Sequence, residues 1–396
     1  MPASAGALFE LVRTGQATTR KALLTHSGLS RSTLTARLDQ LQAAGLLVEG
    51  GLEDSTGGRP ARHLRFDDQH AVVLAASIDT THAEAAVTDL SGRRLATRAG
   101  ELRVADGPEP VLDRIAEWFE AMLADVGRPV CGVGLSVPGP VEPGRARVTR
   151  PPIMPGWDGY PIDAHLGARF GAPVLVDNDA NLMALGEHRA RYPDSAALVV
   201  VKVSTGIGAG LVVGGEVYRG IDGGAGDIGH IRLPGHPDAP CLCGSLGCLA
   251  AVASGRALAA RLTELGLPTT SGSGVRERLV AGEPAAIRLA EIAGRQVGEV
   301  LATLVCVVNP GVLVVAGDLA EPHFVAGVRE ELYRRALPRA TQNLRVEIGG
   351  RGDAIGGAVA MVVDAVFAPA AVDRRLGDGR SAVTEWTVPS GRTTRL

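Results

Sequence analysis

His230, Cys241, Cys243 and Cys248 place one imidazole and three thiols on a single stretch, D-I-G-H-I-R-L-P-G-H-P-D-A-P-C-L-C-G-S-L-G-C, which runs from Asp227 to Cys248. Its glycines and prolines exclude a helix or a long strand, so one loop can fold these side chains toward a common point. Zn2+ is borderline-soft and takes four tetrahedral nitrogen and sulfur ligands when its role is structural. The stretch is therefore a candidate Cys3His zinc site with no open coordination position. The alternative is a group of buried thiols beside a surface histidine, although free cysteine seldom clusters this tightly. His236, between Pro234 and Pro237, is the weaker ligand candidate of the two histidines, and Cys131 and Cys306 lie far apart in apolar runs that read as core.

A second group is Asp177-Asn178-Asp179-Ala180-Asn181, just past the apolar run Val174-Leu175-Val176 and just before a helical pattern. In an open α/β sheet, side chains at such a junction enter the cleft. Carboxylates and amides there can bind sugar hydroxyls, and one carboxylate can serve as a general base. The same residue types also cap helices. The glycine-rich turn Thr205 to Gly210 can offer backbone N–H groups to phosphate, or it can simply join two strands.

The elements that must position these groups fall into unlike parts. A chain of 396 residues has room for two or three domains and can bury large cores without disulfides. Five scattered or clustered cysteines show no secreted disulfide framework, and the longest apolar runs are too short to span a bilayer, so a cytoplasmic protein without membrane contact is expected. Charge is uneven. Residues 1–66 carry eight Lys and Arg against five Asp and Glu, a balance of +3 in a chain of net charge −3, so the remainder carries −6. The first part alone suits a polyanion.

Residues 1–68 read as a winged helix-turn-helix. Ala7, Leu8, Leu11 and Val12 mark a first helix, Thr18 or Thr19 caps a second near Arg20 to His26, and Ser27-Gly28-Leu29 turns into a third capped by Ser30. Leu34, Leu38 and Leu41 line one face of that third helix until Gly45. Arg31, Ser32, Thr33, Thr35 and Arg37 fall off the apolar face and are the candidate base and phosphate contacts. Leu46 to Val48 and Arg62 to Phe66 then form two wing strands around a polar turn, from which Arg59 can enter a minor groove. A small helical interaction domain with a charged face is the alternative. Beyond the polar seam at Asp67 to His70, strands and helices alternate in two α/β lobes, 69–190 and 191–370, and 371–396 read as a polar, aperiodic tail.

In combination these motifs resemble the ROK family, named for repressor, open reading frame and kinase, over nearly the whole chain to Met361. The landmarks are V-P-G-P at Val137 to Pro140, D-N-D-A-N at Asp177 to Asn181, T-G-I-G-A-G at Thr205 to Gly210, Gly229-His230, the cysteine run, N-P-G-V at Asn309 to Val312, and S-T-G-G-R-P at Ser55 to Pro60, typical of the repressor branch. The resemblance implies an actin-like (ribonuclease H-like) two-lobed sugar-kinase fold behind a DNA-binding head. It places Asp179 at the position of the kinase base, Asn178, Asp179, Asp227 and His230 in a ligand pocket, and His230 also on zinc.

The departures from the family pattern point away from catalysis. Where family kinases carry a D-x-G-x-T phosphate loop, this chain has Asp79-Thr80-Thr81-His82-Ala83, with Thr81 in place of glycine and Ala83 in place of threonine. A side chain at Thr81 crowds the backbone approach that phosphate needs. Ile153 and Ala250 replace an asparagine and a glutamate of family sugar binders, and Asp227 shortens another glutamate. The expectation is a non-enzymatic regulator, a repressor of carbohydrate-metabolism genes, acting on double-stranded operator DNA as a homodimer or dimer of dimers with an unusual sugar effector. An ATP-dependent sugar kinase with a DNA-binding head and a ligand-independent DNA-binding protein are the alternatives.

Overall fold

The computed structural model describes residues 4–52, 62–349 and 352–377. The head begins with α1 (Ala5–Arg13), α2 (Arg20–Ser27) and α3 (Arg31–Ala43), whose N-caps Ser4, Thr19 and Ser30 each accept a backbone N–H three residues on. Gly28, in the left-handed region at φ 65°, supplies the turn between α2 and α3. β1 (Leu47–Leu52) and β2 (Arg62–Phe66) pair antiparallel with Leu47 opposite Phe66, which completes the winged arrangement. Arg59 and the rest of the wing turn lie outside the described residues.

The body repeats one sheet design twice. In the first sheet β3 (Val72–Ile78), β4 (His82–Asp89) and β5 (Arg94–Glu101) form a meander, and β6 (Val130–Val137) and β7 (Val174–Asn178) extend it in parallel, in the order β5-β4-β3-β6-β7. In the second, β8 (Ala197–Val203), β9 (Ile207–Val213) and the short β10 (Glu216–Val217) are the meander, and β11 (Val312–Ala316) and β12 (Arg345–Ile348) are the parallel additions. Two sheets of the same winding, each covered by helices on both faces, are the two-lobed architecture. The uniform apolar runs of β3 and β11 follow from burial on both sides.

Helices α4 (Pro108–Leu123) and α5 (Ile162–Phe170) cover one face of the first sheet. α6 (Asp179–Arg191) follows β7. Beyond the second meander come α7 (Leu249–Ala253), α8 (Gly255–Glu264), α9 (Gly272–Val280), α10 (Pro284–Val308), α11 (Pro322–Arg335) and α12 (Pro338–Thr341). α13 (Ala354–Val366) and α14 (Pro369–Gly377) close the chain. Two of these helices cross between lobes. α6, expected with the first lobe, packs on β8 and β9, and α13, expected with the second, packs on β3 and β6. They meet at glycines, where a Cβ on Gly357 would stand 1.8 Å from the Leu182 carbonyl oxygen and one on Gly186 would stand 2.0 Å from that of Asp353. Because backbone cannot swing aside, Gly357→Ala is expected to cost about 3 kcal/mol through overpacking, read as a lower denaturation midpoint with an unchanged slope.

The expected tail starts later than Ala371. α14 buries Ala371 and Val372 and lies against α1, where the Gly6 N–H donates to Asp373 (2.7 Å). Ala370, Ala371, Val372 and Leu376 are too few apolar residues in a short basic segment to read as a helix. Residues 378–396 lie outside the described residues. Head and body thus share one core: Phe66 stands 5.3 Å from Phe9 and 5.0 Å from Phe367, ring centre to ring centre. Asp364 on α13 reinforces this seam by accepting from Arg13 of the head (3.0 Å) and from Arg189 of α6 (2.8 Å). Cys131 is buried as expected, but Cys306 is exposed on the outer face of α10. Among the described residues no single helix is long and apolar enough to cross a membrane.

Candidate functional site

The loop after β10 brings His230, Cys241, Cys243 and Cys248 together, with one ligand atom from each all within 4.8 Å of one another. His230 ends a one-turn 3-10 helix, Ile228–His230, and turns Nδ1 toward Cys241 Sγ at 3.7 Å, while Cys243 and Cys248 Sγ are 3.8 Å apart. A tetrahedron with metal–sulfur bonds of zinc length has edges of about 3.8 Å. Donor set and spacing therefore fit a closed cation site. The turn is built by Cys241 N–H to Ser245 O (2.9 Å) and by Gly244 at φ 85°. Hydrogen bonding by the Ser245 backbone brings the Cys243 thiol down to about 6, whereas burial and the neighbouring thiols push Cys248 up to about 12. Crowded thiols lose all their protons together only with a cation among them. His236 stays outside the cluster and pairs with Gln296 of α10 at 2.7 Å.

The D-N-D-A-N junction is more committed internally than its residue types suggest. Asn178 caps α6, with its Oδ1 accepting the Ala180 N–H (2.9 Å) and its Nδ2 donating to the Gly139 carbonyl (3.1 Å). Asp177 is buried, takes Asn178 N–H and Asn181 Nδ2 on one oxygen and holds Arg219 on the other at 2.7 Å. Asp179 is buried as the first residue of α6 and accepts Lys202 Nζ at 2.5 Å. Asp227 and His230, the other two residues expected in a ligand pocket, are exposed at the start and end of the 3-10 turn.

Lys202 and Arg219 were not among the residues singled out from sequence. Lys202 interrupts the apolar run of β8, and strand alternation puts it on the face toward α6 with Leu198 and Val200. It lies 3.6 Å from Asp79 as well as beside Asp179. Burial works against its charge, but the two carboxylates outweigh that and raise the ammonium above the ordinary lysine range. Burial likewise opposes ionisation of Asp79, yet Lys202 and the Thr80 N–H hold it below the usual carboxylate range. For Asp179, burial dominates and pushes the carboxyl up. The isolated cation in an apolar strand was the available signal. At the end of the glycine-rich turn Gly210 serves packing, since a Cβ there would stand 2.1 Å from the Ala180 carbonyl oxygen, whereas Gly206 borders open space. Arg31, Ser32 and Thr35 are exposed on the first turns of α3, while Thr33 and Arg37 are partly buried. Ser30 Oγ lies 3.0 Å from the Ser32 and 2.8 Å from the Thr33 hydroxyl.

Residues 73–364 match the ROK family model. A xylose repressor from Caldicellulosiruptor bescii is 26% identical over 365 residues, 85% of this chain and 89% of the relative. A glucokinase from Streptomyces coelicolor is 32% identical over 286 residues, 67% of this chain and 88% of the relative. Among solved structures, a ROK family transcriptional regulator, a homologue of the E. coli MLC protein, superposes with TM-score 0.79 at 23% identity over 95% of this chain and 98% of that one. Matched motifs, paired sheets and the family model agree: the chain belongs to the ROK family.

Proposed function

We propose that the protein is a sequence-specific DNA-binding transcriptional regulator, a repressor of carbohydrate-metabolism genes, whose kinase-like body binds an effector and dimerises instead of transferring phosphate. The observation that carries this reading is the winged helix-turn-helix head seated on the body through α1, α14 and the Arg13–Asp364–Arg189 bridge. A head so attached can report a change between the lobes to DNA. The xylose repressor aligns with 85% of the chain, whereas the glucokinase aligns with 67%. Two features argue against phosphoryl transfer. Thr81 and Ala83 stand in the phosphate loop, and Asp179, the position of a kinase base, is clasped by Lys202.

In this reading His230, Cys241, Cys243 and Cys248 hold a structural Zn2+ that ties the loop bearing Asp227 to the second sheet. Two copies pair so that their α3 helices face successive major-groove turns of a two-fold operator. Selection of bound fragments from a genomic DNA library is expected to enrich a two-fold motif, and ADP release over a panel of sugars is expected to stay at background. Turnover that disappears in Asp179→Asn would overturn the reading in favour of a kinase. The internal engagement of Asn178 and Asp179 favours a second reading, ligand-independent DNA binding. Calorimetry that finds no sugar binding while operator affinity is intact would establish it.

A further inference from the structure

Lys202 and the groups around it link parts of the chain that belong to different lobes. Its ammonium projects from β8 of the second sheet. Asp79 closes the β3–β4 hairpin of the first sheet, where its N–H donates to the His82 carbonyl. Asp179 stands where the chain leaves β7 for the second lobe. A further bond crosses at the same place, between the Thr80 and Thr205 hydroxyls at 3.1 Å. Asp318, after β11, adds another attraction on Lys202.

We propose that Lys202 is an internal cation that clamps the two lobes together, its ammonium filling the place between Asp79 and Asp179 that an external cation would otherwise take. Lys202 and Asp179 are buried and Asp79 is half-buried, and two carboxylates drawn together in such a site repel each other unless a cation lies between them. Here the cation is covalently part of the opposite lobe, so charge balance and lobe closure are the same event. Opening the cleft separates the ammonium from Asp79 and breaks the Thr80–Thr205 bond beside it. The Lys202–Asp179 contact sits on the face where α6 meets β8 and acts as the anchor. Any ligand entering between the lobes must displace the clamp or leave it in place, and a metal-bound nucleotide finds the Asp179 oxygen already taken. The clamp is a property of the body and holds whether or not the head reads an operator.

Lys202→Ala removes a propylammonium group, so n-propylammonium is the matching probe, with 1-propanol and sodium chloride as controls. The variant is expected to melt lower than the parent and to exchange amide hydrogens faster at Asp79–Ala83 and Thr205–Gly208. Propylammonium should restore much of both, propanol should not, and the parent should respond to neither. Equal effects of propylammonium and propanol, or faster exchange spread evenly over the chain, would sink the clamp. If Lys202→Ala does not fold, the charge-free set Asp79→Asn, Asp179→Asn and Lys202→Met takes its place. That set should fold with exchange at the two segments faster by roughly tenfold or more, and unchanged protection there refutes the proposal.

Discussion

Exchanging Cys248 for serine is expected to remove one equivalent of zinc per chain and to lower stability by about 4 kcal/mol, a fall in melting temperature of roughly 10 °C for a body of this size. Cys248 is the buried thiol of the four, caps the start of α7 and lies 3.8 Å from Cys243. Its backbone also bridges to Arg232 on the incoming side of the loop. Losing it therefore removes a ligand from the cluster and leaves a hydroxyl in a place shaped for a thiolate. Between Cys241 and Cys248 apolar burial adds little, since Leu242 and Leu246 are exposed. Metal affinity accordingly becomes folding free energy for this segment. A strong chelator should reproduce the effect on the parent chain and have almost none on the variant. His236→Gln is the control, because His236 binds Gln296 outside the cluster and its loss should leave zinc content unchanged. Bound metal and melting temperature identical in parent and Cys248→Ser would eliminate the metal centre.

The cluster of four possible metal donors was legible because they lie on one loop, where composition, spacing and turn residues carry the signal. The strands were legible for a similar reason, as β3, β8 and β11 are short apolar runs bounded by polar turns. What failed was assignment across distance. α6 is buried continuously from Asp179 to His188 and α13 is apolar on nearly every side, so neither helix has a face that says which sheet it covers. The crossing shows only in the packing of α6 on β8 and β9 and of α13 on β3 and β6, and a glycine in sequence does not name its neighbour. Lys202 illustrates the same point chemically. Strand parity shows that it must be buried, but Asp79 and Asp179 become its partners only when the two lobes meet. Asn178 and Asp179, expected as ligand contacts, hold a helix cap and an internal ion pair in the structure, another use those residue types have at such a junction.

The double substitution Arg31→Ala, Arg37→Ala is expected to weaken operator binding by roughly a hundredfold and to flatten its salt dependence. On α3 the buried face is set by Leu34, Leu38 and Leu41. At one residue per ~100°, Arg31 and Arg37 fall roughly 60° to either side of that face, while Ser32 and Ala36 point away from it. In a major groove the outward residues meet base edges, and the flanking pair reaches the phosphates on the two sides. Arg37 is partly buried and Arg31 is exposed. In a two-fold complex each substitution removes two contacts, so either one alone should lower the salt slope by about 2. Because phosphate contacts carry no sequence information, the loss should be nearly uniform across operator variants. Ser32→Ala should do the opposite, changing the preferred base at one position in each half-site with little change in salt slope. The two patterns are separable by fluorescence anisotropy on an operator series at several salt concentrations. Specific binding that survives the double arginine substitution, with its salt slope intact, would mean that α3 does not lie in the groove.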